Sequence, residues 1–426
     1  MLWIAIIFFS LLIAGIPIAF ALGLTSLLYI INSGTLPLKI VALRMYGGID
    51  EFVLLAIPLF ILAGQLMAKT GITEDLVKLS NLLVGKIRGS LAHINILASI
   101  FFAGLTGAAT SDAAALGSIL IPTMEKEGYS AEYAAAVTAV SSVIGPIIPP
   151  SIVMVIYSSV TGESVAALFL GGCIPGVAIG LALMVLAYVF AIRRRHPYRK
   201  ESVSTKAAFA ILGRASVGLM VPIIIIGGIL GGIFTPTEAA AVACAYGLAA
   251  GLFLFRTLNW AKVEDCFITT VRTSAMVLII IACASVFSLV LSIERIPDRI
   301  ATQVLTITGN PILILLIFNG FLLIMGMLME PGSNVIILAP ILAPVAANVG
   351  IDPLHFALIM LVNLNIGMVT PPVGISLFVV SGIARRPFER IAVTSLPFIG
   401  IEIAVLLLIT YVPWITLFLP RLFGFH

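Results

Sequence analysis

The chain has little charge, and this scarcity excludes a soluble globular fold. Only 10% of its 426 residues are charged, whereas 61% are hydrophobic and the mean hydropathy is +1.21. A water-soluble domain of this length carries far more charge on its surface. Apolar runs of membrane-spanning length recur from end to end, without the alternation of a membrane barrel. The composition therefore predicts an all-α polytopic membrane protein without a separate soluble domain.

Patterns for metal binding and for catalysis are also missing. The four cysteines form no CxxC pair, and the four histidines form no HExxH or similar spacing. We therefore expect no enzyme, no organic cofactor and no metal beyond a coupling ion. The net charge of +4 is modest and reports loop orientation in a membrane protein, so no nucleic-acid partner is expected.

Glycine and proline, in contrast, are present in two stretches that match without a gap. The matched residues are Ser111, Pro122, Gly128, Gly145, Pro149, Pro150, Ser159 and Pro175, each 222 positions before Ser333, Pro344, Gly350, Gly367, Pro371, Pro372, Ser381 and Pro397. Because glycine and proline set backbone geometry, this match predicts two segments of the same shape. An internal repeat with broken helices is typical of a secondary transporter.

Each repeat contains one stretch that predicts a re-entrant helical hairpin and one that predicts a broken span. The hairpins are predicted at 91–124 and 311–347, and the broken spans at 133–160 and 355–384. Thr110, Ser111 and Asp112 mark the first tip, and Glu330 to Asn334 the second. Turns and breaks at membrane depth must be buried in protein or line a cavity, because lipid does not satisfy open backbone groups.

The remaining segments complete two repeats, 1–192 and 209–426, separated by a polar linker at 193–208. Amphipathic charged stretches at 69–90 and 293–310 predict arms along the membrane surface, and the other spans predict a scaffold. Placing the basic linker in the cytoplasm puts the basic group that includes Lys69 on the same side. An odd number of crossings separates the repeats, so they are predicted to be inverted.

Inverted symmetry brings the tips and breaks together near the midplane. Hydroxyl, amide, carboxylate and carbonyl oxygens suit sodium, and half-helix N-termini suit an anion. The predicted sodium-binding residues are Thr110, Ser111, Asp112, Ser141 and Gly145 at one site, and Ser333, Asn334, Asn363 or Asn365, Gly367 and Thr370 at the other. The predicted substrate-binding residues are Thr106, Ser111, Pro150, Ser151, Glu330, Asn334 and Pro372.

Several of these residues have a second interpretation. Ser111 and Ser333 are also suited to capping the helices that begin at the tips. Asp112 is also suited to carrying a proton, which would change the coupling ion. Glu330 follows Met329 and precedes a Pro-Gly pair that would let it turn towards water. Glu238, within Thr-Pro-Thr-Glu, is interpreted as the acid of a helix capping box.

Five motifs in order resemble the large membrane (M) subunit of tripartite ATP-independent periplasmic (TRAP) transporters. They are GLTGAATSDAAALGSILIPTM, GPIIPPS, GGIFTPTEAAAVA, LMEPGSNVIILAPILAPV and GMVTPPVGISLF. The resemblance covers essentially the whole chain and implies sodium symport by an elevator mechanism, in which a transport domain slides past a scaffold. It implies a small four-helix membrane subunit (Q), a periplasmic binding protein (P), and contact with membrane lipid of the bacterial inner membrane. It also implies an organic-acid substrate such as a C4-dicarboxylate or sialic acid.

Three other functions compete with this interpretation. A self-sufficient sodium- or proton-coupled anion symporter of the same fold differs only in needing no soluble binding protein. A membrane enzyme finds no nucleophile–base spacing in the sequence. A channel fits less well, because hairpins and inverted arms suit alternating access.

Overall fold

The computed structural model describes residues 2–34, 36–194, 196, 204–307 and 310–425. These ranges contain α-helices and no β-strand, and eight of their helices are long and apolar enough to cross a membrane. The predicted all-α, multi-pass membrane fold is therefore confirmed. The predicted linker at 193–208 and the predicted arm at 293–310 lie partly outside the described residues.

Ten α-helices lie in the part of the first half that the structure describes. They are α1 (Leu2–Ile13), α2 (Ile18–Ser33), α3 (Lys39–Ile49), α4 (Ala56–Lys69), α5 (Ile72–Val84), α6 (Ser90–Thr106), α7 (Ala109–Lys126), α8 (Ala131–Ser142), α9 (Ile152–Thr161) and α10 (Val165–Arg193). A short 3-10 turn, Phe52–Leu55, leads directly into α4. The break between α1 and α2 shows that the first apolar stretch forms two helices.

The described part of the second half also contains ten α-helices. They are α11 (Thr205–Leu230), α12 (Pro236–Ala249), α13 (Trp260–Ile293), α14 (Ile296–Ile307), α15 (Pro311–Leu328), α16 (Pro331–Asn348), α17 (Pro353–Gly367), α18 (Ile375–Ala384), α19 (Phe388–Tyr411) and α20 (Trp414–Leu422). A π turn, Ala250–Leu254, extends α12.

The repeated glycines and prolines correspond to repeated helix boundaries. Helices α7 and α16 begin at Ala109 and Pro331, and these residues are 222 positions apart. The same spacing separates Ala131 and Pro353, where α8 and α17 begin. In each repeat a helix–turn–helix pair, α6–α7 or α15–α16, is followed by an interrupted pair, α8–α9 or α17–α18. Both interruptions contain a cis proline–proline bond.

Local residues set the boundaries of two segments in the second half. Helix α13 is continuous from Trp260 to Ile293. Its start is fixed by Asn259, whose side chain accepts a hydrogen bond from the Lys262 N–H at 2.9 Å. Helices α19 and α20 are separated at Pro413, a residue that lacks a backbone donor.

Buried polar side chains join the first helix pair to the interrupted helix behind it. Asn95 Nδ2 in α6 donates to Thr138 Oγ1 in α8 at 2.6 Å, and Ser99 Oγ donates to Ser141 Oγ at 2.9 Å. All four side chains are buried. Such satisfied contacts fix the separation and the rotation of α6 against α8.

A different hydrogen-bond network joins α15, the first helix of the second helix–turn–helix pair, to α17 and α19. Asn363 Nδ2 in α17 donates to Asn319 Oδ1 in α15 at 2.7 Å, and Asn319 Nδ2 donates to Thr410 Oγ1 in α19 at 3.0 Å. His355 Nε2 lies 3.1 Å from the Thr410 carbonyl oxygen. The second network therefore includes α19 as well as the pair.

The capping interpretation of Glu238 is confirmed. Thr235 Oγ1 accepts a hydrogen bond from the Glu238 N–H at 3.3 Å, and Glu238 Oε2 accepts one from the Thr235 N–H at 2.8 Å. Glu238 therefore satisfies the first turn of α12 and plays a structural role.

We expect Gly367→Ala to destabilise the protein by about 1–3 kcal/mol, because the new Cβ would lie 2.5 Å from the Gly326 Cα of α15. Gly382→Ala in α18 is the matched control, since no atom lies within 4 Å of the added Cβ. The measurement is the thermal unfolding midpoint of both purified variants in detergent. Equal midpoints for the two variants would contradict the close packing of α15 on α17.

Candidate functional site

The turns of the two helix–turn–helix pairs face one central cavity of about 390 Å³. The first turn and the start of α7 contribute Gly107, Ala108, Ala109, Thr110 and Ser111, and the second turn and the start of α16 contribute Glu330, Pro331, Gly332 and Ser333. The interruptions contribute Pro146 and Met368, and the last turn of α17 contributes Asn365. Two elements that the sequence places far apart are thus brought together, with the N-termini of two helices directed at a single space.

The opposite wall of the cavity comes from α4 and α13. It contains Ile61, Gln65, Thr269, Thr273, Val277 and Ile280. Sequence reasoning did not identify these residues. The sequence feature that could have identified this wall is the pair Thr269 and Thr273. These two hydroxyl side chains are four positions apart and therefore lie on one face of an apolar helix.

The first tip depends on a glycine that no other residue replaces without strain. Gly107 adopts φ +62°, and a Cβ there would lie 2.6 Å from the Pro150 carbonyl oxygen. The chain then passes through extended Ala108 into α7. This geometry places Thr110 and Ser111, both half-buried, on the cavity wall.

Asp112 lies behind the tip and is completely buried. Its Oδ1 accepts a hydrogen bond from Thr106 Oγ1. Its Oδ2 has no hydrogen-bond partner among the described residues and lies against Gly145, where an added Cβ would overlap it. The end of α6, the start of α7 and the interruption after α8 therefore meet around one carboxyl group.

Asn334 is the counterpart of Asp112 in the second tip and is also completely buried. Its Nδ2 donates to the carbonyl oxygens of Met325 and Met329, each at 3.0 Å. Its Oδ1 has no hydrogen-bond partner among the described residues. Both repeats therefore share one arrangement. One polar atom of the side chain is hydrogen-bonded to the preceding helix or its end, and the remaining oxygen has no partner among the described residues.

Glu330 caps α16, and its carboxylate accepts a hydrogen bond from the Ser333 N–H at 3.3 Å. The side chain is exposed within the cavity. Glu330 can therefore face water and still belong to the predicted binding site, because the cavity that it lines is open to it. The structure assigns the cap to Glu330 and leaves Ser333 on the cavity wall.

The predicted residues of the interruptions lie in different environments. Asn365 lines the central cavity, and its buried Oδ1 has no partner among the described residues. Ser141 and Asn363 instead direct their side chains to α6 and α15. Thr370 Oγ1 donates to the Ile366 carbonyl at 2.8 Å, and Gly367 packs on α15.

The remaining predicted substrate residues do not lie on the central cavity wall. Thr106 directs its hydroxyl to Asp112, and Pro150 presents its carbonyl to the first tip. Ser151 caps α9, since its Oγ accepts from the Met154 N–H at 3.3 Å. Pro372 is exposed outside the cavity.

Sequence reasoning also missed Glu402 in α19. Both carboxyl oxygens are buried, with no hydrogen-bond partner in the part of the chain that the structure describes. A single acid inside an apolar run of membrane-spanning length was the signal.

A known family matches nearly the whole chain. Residues 5–415 match the family described as "Tripartite ATP-independent periplasmic transporter, DctM component". The chain belongs to this family. The resemblance to the large TRAP membrane subunit is thereby confirmed.

Two relatives and one solved structure extend the comparison. The TRAP permease is 42% identical over 96% of its length to the isethionate TRAP transporter permease protein DctMQ of Oleidesulfovibrio alaskensis, and it spans 64% of that relative. It is 41% identical over 97% of its length to the sialic acid TRAP transporter large permease protein SiaM of Vibrio cholerae, and it spans 97% of it. The crystal structure of the Alcanivorax borkumensis YdaH transporter shares the fold, with a TM-score of 0.63, 16% identity and coverage of 89% and 88%.

We expect Thr106→Val to destabilise the TRAP permease by about 1–3 kcal/mol, because it removes the hydroxyl that donates to the buried Asp112 carboxyl. Thr106→Ser keeps that donor and should remain close to the wild type. Chemical unfolding of the purified variants measures the difference. A valine variant as stable as the wild type would contradict a stabilising role of this hydrogen bond.

Proposed function

We propose that the TRAP permease is the membrane subunit of a binding-protein-dependent, sodium-coupled importer of an organic acid. The observation that carries the proposal is a matched pair of buried oxygens, Asp112 Oδ2 and Asn334 Oδ1, behind the two tips. Neither oxygen has a hydrogen-bond partner among the described residues. An orphan buried oxygen is costly unless a cation or a donor completes it. Two such atoms at equivalent positions favour two cation sites related by the repeat.

The residues around each atom fit sodium, which prefers oxygen ligands from side chains and unwound backbone. At the first site, Asp112 and the carbonyls around Ser141 and Gly145 would hold the ion. At the second, Asn334 would hold it together with oxygens of the second interruption. Because the Ser141 hydroxyl joins α8 to α6, we assign ligation there to backbone oxygens. Asn363 Oδ1 and Asn365 Oδ1 have no hydrogen-bond partner among the described residues and are the further side-chain ligands of the second site.

The central cavity is suited to a small organic anion. The N-termini of α7 and α16 supply partial positive charge, and Ser111 and Ser333 supply hydroxyl groups. Glu330 is the charged residue among the described residues that line it, so the cation sites behind the tips would balance a substrate carboxylate or sulfonate. A C4-dicarboxylate, a sialic acid and isethionate are the substrates that the family resemblance and the relatives suggest.

An elevator movement follows from the same arrangement. One wall of the cavity consists of the tips and interruptions, and the other consists of α4 and α13. Movement of the first wall along the second would carry ions and substrate together. The partners would be a small membrane subunit and a periplasmic substrate-binding protein, in a bacterial inner membrane. The named relatives are transporter permeases, which supports transport rather than catalysis.

We expect sodium, but not potassium or choline at equal ionic strength, to raise the melting temperature of the purified complex with the small subunit. An ion at about 100 times its dissociation constant adds about 2.7 kcal/mol. Asp112→Ala and Asn334→Ala should each reduce the difference between the salts. Ser118→Ala, on the exposed face of α7, is the control and should leave it unchanged. Equal melting temperatures in the three salts would instead favour proton coupling through Asp112.

Uptake of labelled acid into proteoliposomes should require both the small subunit and the soluble binding protein. The control omits the binding protein and keeps the sodium gradient. Uptake that continues without the binding protein would identify a self-sufficient symporter of the same fold.

A further inference from the structure

A second cavity, of about 510 Å³, adjoins the central one. The two cavities share the wall residues Ile61, Gln65, Ala108, Ser111, Ile152 and Thr273. A molecule that leaves the central cavity between the first tip and α13 therefore enters the second cavity without crossing a further helix.

Lys69, at the end of α4, is the charged residue among the described residues that line this second cavity. Its Nζ forms an ion pair with Asp265 Oδ2 of α13 at 2.9 Å. The two side chains are 41% and 58% exposed, so water competes for both. An ion pair this exposed contributes little to stability, and another carboxylate replaces Asp265 at little cost.

Polar side chains lead from the central cavity to this pair. Gln65 and Lys69 are four residues apart on α4, and Asp265, Thr269 and Thr273 follow at steps of four on α13, so each set lies on one helix face. The central cavity contains an acid, Glu330, and the second contains a base. The charges of these two residues therefore favour an anion in the second cavity, near Lys69, over an anion near Glu330.

We propose that Lys69 is an anion subsite of the TRAP permease, which binds the carboxylate or sulfonate of the substrate in the second cavity. Asp265 pairs with the ammonium group when no substrate is there. The substrate displaces Asp265, whose side chain is 58% exposed and is then solvated by water. In the orientation predicted from the basic loops, this is the cytoplasmic side, so the subsite serves release. The inference depends on the proposed transport of an organic acid.

The test uses the purified complex with the small subunit and the acid that the wild type transports with its binding protein, among succinate, N-acetylneuraminate and isethionate. The measured quantity is the half-saturating concentration of that acid for thermal stabilisation. Lys69→Gln should raise it about tenfold, as expected for the loss of one charge-assisted hydrogen bond, and Lys69→Arg should keep it near the wild type.

Asp265→Asn should lower the half-saturating concentration about threefold, because it frees Lys69 from its competitor. The double variant Lys69→Gln/Asp265→Asn should match Lys69→Gln alone. Lys262→Gln is the matched control, since Lys262 lies on the same helix and donates to the Thr257 carbonyl outside both cavities.

Three outcomes would overturn the inference. Lys69→Gln behaving like Lys262→Gln would show that Lys69 binds no anion. Shifts of Lys69→Gln and Asp265→Asn in the same direction would show a pair that only joins α4 to α13. Absence of uptake of all three acids by the wild type would overturn the proposed function as well, whereas uptake with an unaffected Lys69→Gln would overturn only the subsite.

Discussion

The architecture depends on the need to satisfy backbone polar groups where helices end inside an apolar body. Lipid does not satisfy open backbone groups, so each turn or break must be buried in protein or line a cavity. Gly107 allows the first turn to pass against the Pro150 carbonyl, and Ser151 caps the helix that follows. Asn334 satisfies two carbonyls at the end of α15. Side chains that complete the backbone thus hold the walls of the cavity in place.

The positions of glycine and proline made the interrupted helices of this structure predictable from the sequence. Matching glycines and prolines predicted two equivalent interrupted segments, and α8 and α17 begin at equivalent residues. Side-chain direction was less accessible, because Ser141 turns to α6 through a contact that spacing along one helix does not reveal. The wall formed by α4 and α13 was missed for a related reason. Its residues belong to ordinary apolar helices, and only the tertiary arrangement places them opposite the tips.

The two repeats share backbone geometry but differ in the chemistry that fixes it. In the first, Gly145 makes room for the Asp112 carboxyl; in the second, the equivalent Gly367 allows α15 to approach α17. The first network stays between α6 and α8, whereas the second extends to α19 through Thr410. Side chains therefore differ between the repeats at positions where the backbone geometry is the same.

That difference has an electrical consequence. The acid at the first tip and the amide at the second give the two otherwise equivalent positions unequal charge. If Asp112 is ionised, a monovalent cation at the proposed first site would neutralise its tip, whereas a cation at the proposed second site would leave a net positive charge at Asn334. Membrane potential acts on each elementary charge with about 2.3 kcal/mol per 100 mV. Under the proposed elevator movement, a cation at either tip would add one positive charge to the moving body. Before the charge of the substrate is counted, the body with both tips empty and the body with both tips occupied would therefore respond to voltage in opposite directions.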